Sequence, residues 1–92
     1  MTDIRLTNTD QDDLYVVVWD LNQPPDGNGN PPVVQPAVRL NQGQQMTVSN
    51  VVVAGNDHIH IQWQAKNLRT ENVVTKEVDS EDTDVNVTTF FG

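Results

Sequence analysis

The stretch that decides the fold is HIHIQWQA, residues 58–65, in which polar and apolar side chains alternate without a break. Successive side chains of a β-strand point to opposite faces, so a period of two is typical of a strand with one buried face. Ile59, Ile61 and Trp63 are therefore predicted to cover a hydrophobic core. The two histidines and two glutamines between them are predicted to face solvent or a partner.

The rest of the chain repeats strand signals and keeps no apolar stripe with helical spacing. The 92 residues predict a single domain, residues 1–92, that is all-β: an antiparallel two-sheet sandwich, Ig-like or jelly-roll-like. The residues predicted to be buried with the 59–63 set are Leu14, Val16, Val18, Val85 and Val87. The segment 50–53 is expected to bend. Seven short strands are predicted, at 4–8, 13–21, 33–40, 45–53, 58–65, 72–78 and 84–91.

A long irregular stretch, NQPPDGNGNPP at residues 22–32, separates the second and third strands. Its four prolines cannot donate to a β-ladder and its two glycines permit positive φ, so it is predicted to be a surface loop. The loop is either a flexible connector or a binding loop carried by the sandwich.

Composition excludes several classes of function. There are no cysteines, which rules out a disulfide scaffold and a thiolate metal site. Thirteen acidic and five scattered basic residues give a net charge of −8, which disfavours nucleic acid and anionic membranes as partners. Neither a signal peptide nor an apolar span for membrane insertion is recognisable, so the compartment stays open.

Catalysis finds little support in the sequence. Ser49 and Ser80 lie in no Gly-x-Ser-x-Gly setting, and no glycine-rich phosphate cradle precedes a helix. We therefore expect a protein that is not an enzyme.

The strand at 14–21 is apolar on both faces, although a strand of a two-layer sandwich has one interior face. The second face needs a cover, which could be the proline-rich loop, another subunit or protein partner, or a ligand. This second face is the predicted interface or ligand platform, and it consists of Tyr15, Val17, Trp19 and Leu21.

Oxygen-rich turns raise the possibility of a cation site, because calcium takes six to eight oxygen ligands. Carboxylates and amides also cluster at 10–13, 20–22 and 26–30. His58 and His60 share one strand face and could bind zinc with an acid from a neighbouring strand. Solvated turns and solvent-facing histidines are the alternative. The candidate calcium ligands are Asp79, Glu81, Asp82, Asp84 and Asn86.

Together these features predict a non-enzymatic binding or structural β-sandwich, a homo-oligomer or protein-interaction module that self-associates through the apolar strand face. The alternative is a carbohydrate-binding, lectin-like module, assisted by calcium, that combines loop carboxylates with an exposed Trp19 or Trp63.

Overall fold

The computed structural model describes residues 1–90 and contains seven strands in two packed sheets. The three-stranded sheet has the order β4-β1-β7, and the four-stranded sheet has the order β3-β2-β5-β6. The predicted all-β sandwich is confirmed. No helix in residues 1–90 is long and apolar enough to cross a membrane. The strands are β1 Thr2–Asn8, β2 Leu14–Asp20, β3 Val33–Leu40, β4 Gln45–Val51, β5 Ile59–Asn67, β6 Val73–Ser80 and β7 Asp84–Val87.

Three strands end earlier than their sequence patterns predict: β2 by one residue, and β4 and β7 by two or more. β4 stops at Val51 because Asn50 adopts a φ of 65°, a left-handed conformation that asparagine tolerates, and this is the expected bend. β7 stops at Val87 because the backbone N–H of Thr89 donates to Asp10 Oδ2 at 2.7 Å, which turns the chain away from the sheet. The prediction of a strand as far as residue 91 extends beyond the described residues.

The pairing is antiparallel everywhere except between β1 and β7, which run parallel with Leu6 opposite Val85. A parallel pair cannot be closed by a tight hairpin and needs a long connection. Here the connection is nearly the whole chain, since β1 and β7 are the first and last strands. Strand alternation alone carries no signal for this one parallel pair.

The core lies between the inner faces of the two sheets. β2 and β5 are neighbours in the four-stranded sheet, and their core-facing side chains lie side by side, as Val18 and Trp63 do. Every residue predicted for the core is buried, and Trp63, at 2% exposure, is the largest of them. The alternative expectation of an exposed Trp63 is wrong, because the ring is buried in the core. The buried apolar residues within 1–90 are Ile4, Leu6, Leu14, Val16, Val18, Leu40, Val48, Val51, Ile59, Ile61, Trp63, Ala65, Val74, Val85 and Val87.

Replacing Trp63 by alanine should lower the free energy of unfolding by about 3–5 kcal/mol, because it removes the largest core side chain and leaves a cavity. Chemical denaturation followed by circular dichroism measures the loss. Trp19→Ala is the matched control, since Trp19 lies on the outer face of the same sheet and is only partly buried. Equal losses in the two variants would contradict a core centred on Trp63.

Candidate functional site

The predicted interface row forms part of the outer face of the four-stranded sheet. Tyr15 is 46% exposed, and Val17, Trp19 and Leu21 are partly buried. The row therefore lies outside the core and is partly accessible to solvent. A tyrosine in this position offers a large apolar ring with a polar tip, a common combination at binding surfaces.

Neighbouring strands extend the apolar surface around this row. A shallow hollow of about 300 Å³ is lined by Tyr15, Val16, Val17, Ala37, Gln64 and Lys66. Val33, opposite Trp19, and Val73, opposite Lys66, are about half exposed on the same face. The face thus holds three of the five large apolar side chains that residues 1–90 leave exposed.

The proline-rich loop leaves the Tyr15 end of the row open. Residues 24–30 are exposed, and Asp26 Oδ1 accepts hydrogen bonds from the backbone N–H groups of Asn28 and Asn30, so the loop tip closes on itself. The loop follows the opposite end of β2, where Asp20 N donates to Pro32 O at 3.0 Å. The loop therefore leaves Tyr15 accessible.

Charge is distributed unevenly along this outer face. At one end Arg39 and Lys66 lie on either side of Tyr15 in the sheet register. At the other end β6 presents Glu77, opposite Gln62, and Asp79, opposite His60. Arg39 is ion-paired with Asp13 at 2.7 Å, so Lys66 supplies the positive charge at one end of the face, while Glu77 and Asp79 supply negative charge at the other end.

The predicted calcium ligands are divided between two places. Asp79 Oδ1 lies 2.7 Å from His58 Nδ1, and Glu81 Oε1 lies 3.9 Å from His58 Nε2. Asp82 Oδ1 accepts the backbone N–H of Asp84 at 2.9 Å in the turn into β7, and Asn86 is exposed two residues further on. Within residues 1–90 no three His, Cys, Asp or Glu side chains are grouped as a metal ion would need.

The two histidines are partly buried and contact acids on β6. His60 Nε2 lies 3.4 Å from Glu77 Oε2, while Asp79, the acid directly opposite His60, contacts His58 instead. The neighbouring-strand acid that a zinc site would require is therefore present. His58 contacts Asp79 and Glu81 while His60 contacts Glu77, so the two histidines share no carboxylate.

Sequence reasoning missed the structural role of Asp20, which it grouped with possible cation ligands. The residue is completely buried at the end of β2. Its carboxylate accepts the backbone N–H groups of Asn22 at 3.0 Å and Val52 at 2.9 Å, and the side-chain amide of Gln23 at 2.9 Å. These bonds satisfy the buried carboxylate, and the one from Val52 links the end of β2 to the bend after β4.

A second polar cluster closes the opposite end of the sandwich. Asp10 Oδ2 accepts hydrogen bonds from Thr89 N at 2.7 Å, Thr89 Oγ1 at 2.8 Å and Thr88 Oγ1 at 3.1 Å. Burial raises the pKa of Asp10, but these hydrogen bonds and one from Gln11 outweigh burial and lower it below its ordinary value. The cluster attaches the segment after β7 to the turn after β1.

The next two acids of this turn also have internal partners. Arg69 donates two hydrogen bonds to Asp12, at 2.8 and 3.0 Å, and with the amide of Asn67 lowers the pKa of that carboxyl. The backbone N–H of Gln42 and the guanidinium of Arg39 lower the pKa of Asp13. The carboxylates at 10–13 thus hold the turn in place.

Comparisons with protein-family profiles, with curated proteins and with solved structures find no match for this chain. Functional inference therefore depends on the geometry of its surfaces.

Asp10→Asn should lower the free energy of unfolding at neutral pH by about 1.5–3 kcal/mol, the usual worth of hydrogen bonds to a charged group. A carboxyl whose pKa is lower when folded stabilises the fold fully above its unfolded pKa, and loses this effect as pH falls through its folded pKa. The difference in free energy of unfolding between the wild type and the variant should therefore shrink below about pH 4. Denaturation at several pH values tests this, with exposed Asp3→Asn as control; a deficit that is constant with pH would contradict it.

The calcium site stays a prediction, and thermal denaturation tests it. A bound calcium ion raises the melting temperature by mass action, and this gain should disappear in Asp82→Asn/Asp84→Asn. Magnesium chloride and sodium chloride at matched ionic strength are the controls, because any salt screens the net charge of −8. Equal stabilisation by all three salts would dispose of a specific site.

Proposed function

We propose that this protein is a non-catalytic binding module that self-associates through the outer face of its four-stranded sheet. The observation that carries the proposal is the partly exposed apolar row of β2 beside the hollow at Tyr15 and Val17. Contiguous apolar surface of this kind on a small protein is typical of an interaction site. Tyr15 and Trp19 are the natural anchors, because aromatic side chains dominate binding energy at interfaces.

The charges on this face favour a second copy as the occupant. In a two-fold symmetric pair, each surface patch meets its own counterpart in the opposite direction. Antiparallel packing would bring Lys66 of one copy, on β5, towards Glu77 and Asp79 of the other, on the neighbouring β6, with the apolar rows of β2 in contact. Attraction at both ends would set the orientation, and the negative charge elsewhere would oppose further growth.

The available area also suits a dimer. A standard interface removes roughly 800 Å² from each partner. That is about one seventh of the 5442 Å² accessible surface, and the outer face of the larger sheet is one of the two broad faces of the sandwich. Pairing of another strand with the β3 edge of this sheet is disfavoured, because β3 carries Pro36 and pairs irregularly with β2.

Val17→Glu/Trp19→Glu should convert the dimer into a folded monomer, because it places two charges in the interface and leaves the core-facing residues of β2 unchanged. Light scattering measures the mass and circular dichroism reports folding. Thr47→Glu/Ser49→Glu is the matched control, since it adds the same charge at alternate exposed positions of β4. This control should remain dimeric.

A charge exchange tests the orientation separately. Lys66→Glu should weaken the dimer, and adding Glu77→Lys in the same chain should restore it, because the two ends then attract again with reversed signs. A monomeric wild type would overturn the proposal. Unfolding of Val17→Glu/Trp19→Glu would show instead that the row belongs to the domain's own core.

A further inference from the structure

The proline-rich loop between β2 and β3 carries a dipeptide that neither the fold nor the proposed interface uses. Asn28-Gly29 is the one Asn-Gly pair in the sequence. Both residues lie in the run 24–30, every residue of which is exposed. The loop follows the end of β2 that is remote from Tyr15, so the pair lies outside the hollow beside Tyr15 and Val17. Its chemistry therefore concerns a separate part of the surface.

Asparagine is a labile side chain in water, and the residue after it governs how fast it reacts. The backbone nitrogen of that residue attacks the side-chain carbonyl carbon and closes a succinimide ring, while the side-chain nitrogen leaves as ammonia with the proton of the attacking N–H. Water then opens the ring at either carbonyl, giving OH to the carbon and H to the nitrogen. The products are aspartate and isoaspartate. Glycine favours the attack because it has no Cβ to hinder its nitrogen.

The structure leaves the surroundings of this pair open. A Cβ built on Gly29 would meet no atom within 4 Å beyond its chain neighbours, so the space beside its nitrogen is free. In the described part of the chain no hydrogen bond engages the side-chain amide of Asn28. Its backbone N–H is bonded instead, to Asp26 Oδ1 at 2.8 Å. The electrophilic carbon of Asn28 is therefore free to turn towards the Gly29 nitrogen.

Hydrogen bonds to Asp26 restrain the tip of the loop. Its Oδ1 accepts the backbone N–H groups of Asn28 at 2.8 Å and Asn30 at 3.0 Å, and its carbonyl oxygen accepts the N–H of Gly29 at 3.0 Å. The bond from Gly29 must break before the nitrogen of Gly29 attacks. All three bonds lie within the exposed residues 26–30, so they open without unfolding either sheet. The reaction is therefore limited by opening of the tip.

Other exposed asparagines lack the same neighbour. Asn30 lies in the same loop, but it precedes Pro31, whose nitrogen carries no proton and cannot close the ring. Asn86 precedes Val87, which is completely buried in β7 and has a branched Cβ beside its nitrogen. These two positions provide internal comparisons for Asn28.

We infer that Asn28 is a site of spontaneous modification by water, converted through a succinimide to aspartate and isoaspartate at a rate restrained by the hydrogen bonds to Asp26. Each product adds one negative charge to the −8 of the chain and places it close to Asp26, which repels it. Isoaspartate also routes the main chain through the side-chain methylene, which lengthens the tip. The sandwich should persist, since no residue of the run 24–30 is buried.

Incubation of the purified full chain at neutral and mildly alkaline pH tests the site. Isoelectric focusing should show a more acidic form accumulating, at a rate that rises in proportion to hydroxide, because the attacking N–H must lose its proton. Digestion with trypsin should confine the change to the peptide 6–39, between Arg5 and Arg39. Fragmentation of this peptide should place the exchange of NH₂ for OH at Asn28, and chromatography should resolve its aspartate and isoaspartate forms.

Three variants separate this local reaction from general ageing of the chain. Asn28→Gln lengthens the side chain, which disfavours ring closure, and should leave the peptide 6–39 unchanged over the half-time of the wild type. Asn30→Gln is the matched control in the same loop and should react as the wild type does. Asp26→Ala should speed the reaction about threefold to tenfold, the net worth of one hydrogen bond, because the tip then opens more readily.

A wild type in which Asn28 stays intact, or in which acidic forms arise at other positions instead, would overturn the inference. A rate in Asp26→Ala equal to that of the wild type would overturn the restraint assigned to Asp26. The outcome is independent of self-association, because the measurement reads Asn28 in a digested peptide, while light scattering on the intact chain reads the proposed dimer.

Discussion

The structure depends on burying one face of every strand in a chain that has no disulfide to assist it. Trp63, the largest buried side chain, illustrates the constraint, since it is 2% exposed between sheets that pack about 10 Å apart. Its neighbours on the inner faces are mainly valine, leucine and isoleucine, whose branched side chains suit pleated surfaces. The alternation of each strand follows from this constraint, because a shift of one residue would expose the core side chains.

The two ends of the sandwich are held by hydrogen bonds of polar side chains, whereas the strand faces are held by apolar packing. At one end Asp20 collects three donors from the loop after β2 and the bend after β4. At the other, Asp10 collects donors from Thr88 and Thr89, and Asn67 bonds to both Asp12 and Thr89. These side chains stabilise turns that carry little apolar surface, which explains why a net charge of −8 is compatible with a compact fold. Much of the acidity is structural.

Two surfaces remain that the fold itself does not require. The outer face of the four-stranded sheet is apolar along β2 and charged at its ends, a composition that suits a protein partner. The groove beside β6 and β7 is lined by Lys76, Glu77, Asp82 and Asp84 together with the nearly buried Trp63. The two surfaces adjoin at Glu77, which lies on the outer face of β6 and also lines the groove.

Sequence alone determined the fold class, the approximate strand positions and eight of the fifteen buried apolar residues, because period-two alternation is a local property that fixes which face of a strand is buried. It also identified the partly exposed row of Tyr15, Val17, Trp19 and Leu21, because a strand of a two-layer sandwich buries only one of its faces in the core. Tertiary structure decided the rest. The parallel pairing of β1 with β7, the burial of Asp20 and the meeting of Asp10 with Thr89 join residues far apart in the chain, and no local pattern records such contacts. The groove at Trp63 depends likewise on which two strands become neighbouring edges, and only the packing of one sheet on the other settles that.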